Sequence, residues 1–376
     1  MVLIDETVAV VPAPKKRLPR GTIVGLWALT VALVVLLIIT FLPTSYVIQR
    51  PGPVYNTLGT ATAADGTQVP LISVEGAETF ETSGSLDLTT VQVVGNRERT
   101  PSWFELASAW FDPSKAVVPL ASVFPEGQSS DERNEQNATL MVDSQQEATA
   151  AALTELGYDV ESSVRVVELV EGSPAEGVLE PDDVIVSANG TPVADAETLR
   201  EIIRAGEGQP VELNIRRGGS DETVTITPES REIDGEDTWI IGVTLIHDYE
   251  FPIDVTIQLD NVGGPSAGMM FALGIVDTLT PEELTGGENV AGTGTIDAEG
   301  TVGPIGGIRQ KLYGARAAGA DFFLAPESNC DEVVGHIPNG LRVFATGTLE
   351  ESMTALDAIA DGGDVADLPT CTGAAS

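Results

Sequence analysis

The residues best suited to chemistry lie between Asn261 and Lys311, in the motifs Gly263-Gly264-Pro265-Ser266-Ala267-Gly268 and Gly306-Gly307-Ile308-Arg309-Gln310-Lys311. The first sets a serine at the end of a glycine turn. Behind it come Met269, Met270, Phe271, Ala272, Leu273, Ile275 and Val276, a run that predicts a buried helix ending before Pro281. Ser266 then sits at a helix N-terminus, where unpaired N–H groups and the helix dipole favour the negative charge that an acyl-transfer oxyanion carries. In the second motif Ile308, Lys311, Leu312 and Ala315 recur at i, i+3, i+4 and i+7, so the lysine shares the apolar stripe of a helix. Burial there disfavours the ammonium form, lowers the pKa and leaves an amine able to take a proton from a serine hydroxyl. Lysine occurs only at 15, 16, 115 and 311, and every other cation is arginine, so a lysine at 311 points to proton transfer.

Each residue alone has a plainer role. A Gly-Pro-Ser-Ala-Gly stretch is usually a turn entering a helix, a lysine at a stripe edge can snorkel, and Thr293 alone reads as a strand or turn residue. Their ordered spacing favours the functional reading. A Ser-His-Asp triad has only His247 and His336 to draw on, neither in a recognisable nucleophile setting.

Taken together, Gly264-Pro265-Ser266-Ala267-Gly268, Gly292-Thr293-Gly294-Thr295-Ile296, Val302-Gly303-Pro304-Ile305-Gly306-Gly307, Lys311 and Ala315-Arg316-Ala317-Ala318-Gly319 resemble the proteolytic domain of Lon (endopeptidase La). The resemblance covers roughly the last third of the chain. It implies that Ser266 is the nucleophile and Lys311 the general base of a Ser-Lys dyad. It further implies that Thr293 orients the lysine, that Gly264 and Pro265 shape the serine turn, and that copies assemble into a hexamer. Two positions depart from the family pattern. An acidic residue is common three positions before the serine, where this chain has Gly263, and after the Thr-Gly pair, where it has Thr295. Both bear on how the dyad is regulated.

A second resemblance lies in 157–230. Gly172-Ser173-Pro174-Ala175, Asp182-Asp183-Val184-Ile185 and Asn189-Gly190, followed by a helix from Ala196 to Arg204, resemble a PDZ domain. That family binds extended peptide ends by adding a strand to a sheet edge. The groove is expected between one edge strand and the helix carrying Leu199, Ile202 and Ile203; the alternative is a spacer whose apolar residues are all core.

The elements that must position these motifs give an α+β chain. It divides into a cytoplasmic tail (1–20), a transmembrane helix (21–43), a strand and helix region (44–156), the PDZ-like module (157–230), the Lon-like proteolytic domain (231–365) and a tail (366–376). The polar stretch between Pro125 and Asn137 reads as a mobile loop, and Ser144 to Leu156 as a helix. The region 44–156 is also a candidate for the first part of the peptidase fold, with the PDZ-like module inserted.

From Gly21 to Leu42 the chain is apolar and uncharged, long enough for a core of about 30 Å, and Lys15, Lys16, Arg17 and Arg20 precede it. The expectation is a single-pass protein of the cell membrane, in contact with lipid through one helix, its N-terminus cytoplasmic and its catalytic region extracytoplasmic. Cys330 and Cys371, the only two cysteines, would both lie outside, where a disulfide can form; otherwise they are two unpaired small residues. The formal charge of −38 excludes nucleic acid as a partner. No Gly-x-x-x-x-Gly-Lys-Ser/Thr loop occurs, and neither cofactor nor metal is expected. The expected partners are polypeptides, unfolded or presenting C-terminal segments. Two functions compete: an ATP-independent, membrane-anchored Ser-Lys endopeptidase gated or supplied by its PDZ-like module, and a non-catalytic peptide-binding scaffold at the cell surface.

Overall fold

The structure is a computed structural model that describes residues 19–371 except 63–65, 126, 128, 194, 234–235, 260–261 and 363–364. Asn261, nearly all of the 1–20 tail and the end of the 366–376 tail lie outside the described residues. In chain order the elements used below are α1 (Arg20–Phe41), β1 (Tyr46–Asn56), β2 (Ser85–Val94), α2 (Trp103–Trp110), β3 (Ala116–Pro119) and α3 (Ser130–Glu155). Next come β4 (Glu161–Leu169), β5 (Val184–Ala188), α4 (Ala196–Ala205), β6 (Val211–Arg217), β7 (Ser220–Ile226) and β8 (Val243–Glu250). The chain closes with α5 (Gly268–Leu279), β9 (Asn289–Gly292), α6 (Ile308–Ala318), β10 (Phe322–Pro326), β11 (Arg342–Thr346) and α7 (Leu349–Ala360).

One mixed sheet has the order β11-β10-β9-β2-β1-β3. β11, β10, β9 and β2 run parallel, and β1 pairs antiparallel with both β2 and β3. Every residue of β10, Phe322-Phe323-Leu324-Ala325-Pro326, is buried, as expected of a parallel strand covered on both faces. Its alternate side chains separate the two faces. Phe322 and Leu324 pack with Phe271 and Leu273 of α5, whereas Phe323 and Ala325 pack with Ile308 and Leu312 of α6. The helices that carry the serine turn and the lysine therefore lie on opposite sides of the sheet.

Three of this sheet's strands precede the PDZ-like segment and three follow it, and the α5-side core joins Leu86 and Leu88 of β2 to Phe271, Leu324 and Leu356. The second sheet has the order β7-β6-β5-β4-β8. β8 was placed in 231–365 by sequence, yet it pairs with β4 from Val243↔Leu169 to Glu250↔Glu161, so the PDZ-like sheet runs on to 250. This pairing also sets the two ends of the segment side by side.

Two further expectations are corrected. The stretch 125–137 is not a loop throughout, because α3 begins at Ser130, fixed by a capping box in which Ser129 and Glu132 each accept the other's backbone N–H. The membrane span expected over 21–43 is not supported either: among the described residues no helix is long and apolar enough to cross a membrane. The single-pass placement, its cytoplasmic N-terminus and extracytoplasmic catalytic region, and the lipid contact fall with it.

Because Glu161 and Glu250 are cross-strand partners, their Cα atoms lie about 5 Å apart and a short turn can replace the segment between them. The chain with 161–250 replaced in this way is expected to unfold cooperatively in a near-UV dichroism melt. A fragment starting at 251, which lacks β1, β2 and β3, is expected not to; a cooperative transition in that fragment contradicts the shared sheet.

Candidate active site

Ser266 is held by contacts to its turn from both sides. Gly264 has φ +88°, in the left-handed region that glycine adopts without a steric cost. Its N–H donates to the Asn137 carbonyl at 2.8 Å, and Ser144 Oγ donates to the Pro265 carbonyl at 3.0 Å. Both partners belong to α3, which thereby clamps the turn. The clamp also explains Gly263: a Cβ there would lie 2.8 Å from Asn137 Cβ, so α3 fills the space that an acidic side chain would need.

The chain leaving β9 grips the serine from the other side. Gly294 N–H and Thr293 Oγ1 both donate to the Ser266 carbonyl, at 3.0 and 2.8 Å. α5 begins at Gly268 with Ala267 as its N-cap residue, so Ser266 stands just before the helix N-terminus.

Lys311 reaches this point from α6, on the far side of the sheet, because the sheet stops there. β9 ends at Gly292, and the side chain passes the end of that strand. Its Nζ lies 2.8 Å from Ser266 Oγ and 2.7 Å from Thr293 Oγ1. Thr293 is 0% exposed and Lys311 2% exposed, and burial pushes the lysine pKa down to about 7. The geometry assigns the protons. A neutral amine has two N–H donors and one lone pair; with one N–H on Thr293 Oγ1, the lone pair can face the Ser266 hydroxyl. Thr293 can accept there because its own proton is already given to the Ser266 carbonyl.

The sequence-derived residues thus converge: Ser266, Lys311 and Thr293 touch, with Gly264 and Pro265 in the turn. Neither histidine joins them in a hydrogen bond. His247 Nδ1 meets Glu147 Oε1 at 2.6 Å, which raises its pKa, and His336 Nδ1 lies 3.2 Å from the Val334 carbonyl. Asn137 and Ser144 were missed, although Ser129-x-x-Glu132 signalled a helix start that would have carried α3 across both. Away from the site, Cys330 and Cys371 form a disulfide with Cα atoms 4.8 Å apart.

In the PDZ-like module a groove of about 930 Å³ opens between β8 and α4. Leu199 and Ile203 line one wall, and Trp239, Ile241, Val243 and Leu245 the other. Ile202 packs against the module's own core.

Residues 257–356 match the Lon protease (S16) C-terminal proteolytic domain. The chain carries a Lon-type serine peptidase domain. Residues 140–227 match the PDZ domain family. Lon protease 1 of Sorangium cellulosum is 36% identical over 93 residues, covering 24% of this chain and 11% of that protein. Lon protease 2 of Herpetosiphon aurantiacus is 37% identical over 105 residues, 27% of this chain and 12% of its own length. The PDZ domain of the SdrC-like protein from Listeria monocytogenes is 28% identical with a TM-score of 0.20, covering 22% of this chain and 85% of that structure. The chain thus spans only about a ninth to an eighth of the length of these Lon proteases.

Two outcomes follow from the buried amine. A lysine pKa held near 7 predicts that kcat/KM for a peptide rises with pH through about 7 and then levels, as the free amine accumulates; a profile flat from pH 5.5 to 9 contradicts it. Thr293→Val removes the acceptor that orients the amine and is expected to lower kcat about 10- to 100-fold with little change in KM.

Proposed function

We infer that the Lon-type domain is an endopeptidase that cuts unfolded polypeptides with a Ser266–Lys311 dyad, without nucleotide. The observation that carries this reading is the 2.8 Å contact between a serine hydroxyl and a lysine amine that is 2% exposed and shifted to about 7.

In the inferred cycle the neutral Lys311 amine takes the Ser266 proton as Oγ attacks the substrate carbonyl carbon. The oxyanion forms just ahead of the N-terminus of α5, where the positive end of the helix dipole favours it. The ammonium then returns the proton to the leaving amine, the C–N bond breaks, and an acyl-serine remains. Water attacks that ester, with Lys311 again accepting a proton and passing it back to Ser266 Oγ. Thr293 holds the amine in register throughout.

The PDZ-like module enters this reading as a peptide-capturing unit, its groove between β8 and α4 suited to an extended segment that adds to the β8 edge. The sheet shared between residues before and after it supports the view that it is inserted into the catalytic fold. The phosphate-loop motif is absent from these residues, which favours substrates that are already unfolded over ones that must be pulled apart. The ring implied by the resemblance is part of the same proposal, and a light-scattering mass near that of a single chain would remove it.

Ser266→Ala is expected to abolish cleavage of an unfolded protein while leaving capture of peptides by the PDZ-like module within about twofold. Cleavage that survives the substitution defeats the reading. Lys311→Met should be equally inactive yet more heat-stable at pH 6. The folded state holds the lysine pKa below its unfolded value, so the native lysine chain gains stability as pH rises between about 7 and 10.5, and below about 7 it carries the full cost of the buried ammonium.

A further inference from the structure

His247 stands where three elements meet. It belongs to β8, its Nδ1 faces Glu147 Oε1 of α3 at 2.6 Å, and the Ala196 N–H at the start of α4 donates to its Nε2 at 3.4 Å. Opposite it in β4 is the buried Val164. The two ring contacts fix the tautomer. A nitrogen that accepts a hydrogen bond carries no proton, so the neutral ring keeps its proton on Nδ1 and donates it to Glu147.

The bond to Ala196 ties together the two walls of the peptide groove, since Ala196 of α4 and Leu245 of β8 both line it. Protonation undoes that tie. An imidazolium donates from both nitrogens, so its Nε2–H meets the Ala196 N–H as one donor against another. Toward α3 the effect is opposite, because the contact with Glu147 becomes a charge-assisted pair. β8 therefore stays with α3, and the first turn of α4 is the wall that is released.

The surroundings favour the proton. Glu147 and Asp143 face the ring from α3, Asp195 from the N-cap of α4, and Glu299 from the turn at 297–300. All four are acidic. On β8 itself Tyr249 stands with its ring centroid 5.9 Å from that of His247, and Arg165 of β4 is engaged by Asp182 and Asp248. The hydrogen bond to Glu147 is the largest of the influences that raise the His247 pKa above the ordinary histidine value.

We propose that His247 is a proton-operated latch on the groove between β8 and α4: without the proton it holds the first turn of α4 against β8, and with the proton that wall is let go and peptide capture weakens. This rests on the reading of the PDZ-like module as a peptide-capturing unit. An extended segment added to β8 needs α4 at a fixed distance to cover its apolar side chains. A wall that must first be ordered lowers affinity.

The test uses the full chain carrying Ser266→Ala, so that nothing is cut, and fluorescently labelled, reduced and carboxymethylated lactalbumin as the probe. Its capture is followed by anisotropy from pH 5.5 to 9. With His247 in place, affinity is expected to fall about tenfold between the alkaline and the acid end, as the loss of one hydrogen bond in the groove wall implies. His247→Gln keeps an uncharged acceptor for the Ala196 N–H at every pH and is expected to hold the alkaline affinity throughout. Lys311 and Asp277 titrate in the same range, at about 7 and about 6, but they are common to both chains. Glu147→Gln removes the carboxylate that favours the imidazolium and is expected to move the midpoint down by about one pH unit. Histidine 15N spectra read the tautomer: at pH 9 the signal that His247→Gln deletes should carry its proton on Nδ1. The same pH profile with and without His247, or a proton on Nε2 at pH 9, overturns the proposal and leaves peptide capture standing. Capture that survives Ala196→Trp, which fills the groove, defeats the capture reading and this inference with it.

Discussion

A lysine can act as a base near neutral pH only if its ammonium form is made unfavourable, and here that is done by withholding both water and a counter-charge. Lys311 is 2% exposed, and desolvation alone accounts for its lowered pKa. Its polar contacts are two hydroxyls, neither of which pins the charged form as a carboxylate would. Most of the local architecture follows from that constraint. Ser266 comes from one face of a sheet and Lys311 from the other, and they meet past the end of a strand. β9 ends at Gly292, and the next residue is the threonine that links the two.

The second organising element is α3. It comes from the segment before the PDZ-like module, yet it holds the serine turn through the Asn137 carbonyl and Ser144 Oγ. The glycine at 263 is the counterpart of that contact, since a larger side chain would meet Asn137. What looks in sequence like the loss of an acidic residue is, in space, the approach of a helix. The same helix pairs Glu147 with His247 of β8, so it touches both the serine turn and the strand that edges the PDZ-like groove.

The meeting of Ser266, Lys311 and Thr293 was legible because local motifs carry them: a serine after a glycine turn, a lysine on an apolar stripe, a threonine between glycines. The PDZ-like module was legible up to the point where its sheet closes on itself. β8 pairs with β4, almost eighty residues earlier, and the alternation of Val243, Leu245, His247 and Tyr249 marks a strand without naming its partner. The start of α3 could have been read from Ser129 and Glu132, but the polar run around them outweighed the cap. The expected membrane span failed for a different reason. Residues 21–42 read as one apolar run, whereas among the described residues no helix is long and apolar enough to cross a membrane.

The disulfide between Cys330 and Cys371 has a consequence for how the catalytic half comes apart. The bridged cysteines are 41 residues apart, and β11 and α7 both lie within the closed loop. A loop of that length lowers the entropy of the unfolded chain by about 4 kcal/mol in the chain-entropy view. The sheet edge farthest from β3 is therefore the part of the catalytic half least free to peel away. Under thiol, fraying should start there, at the end remote from α3, and reach Ser266 only after β10 has been exposed.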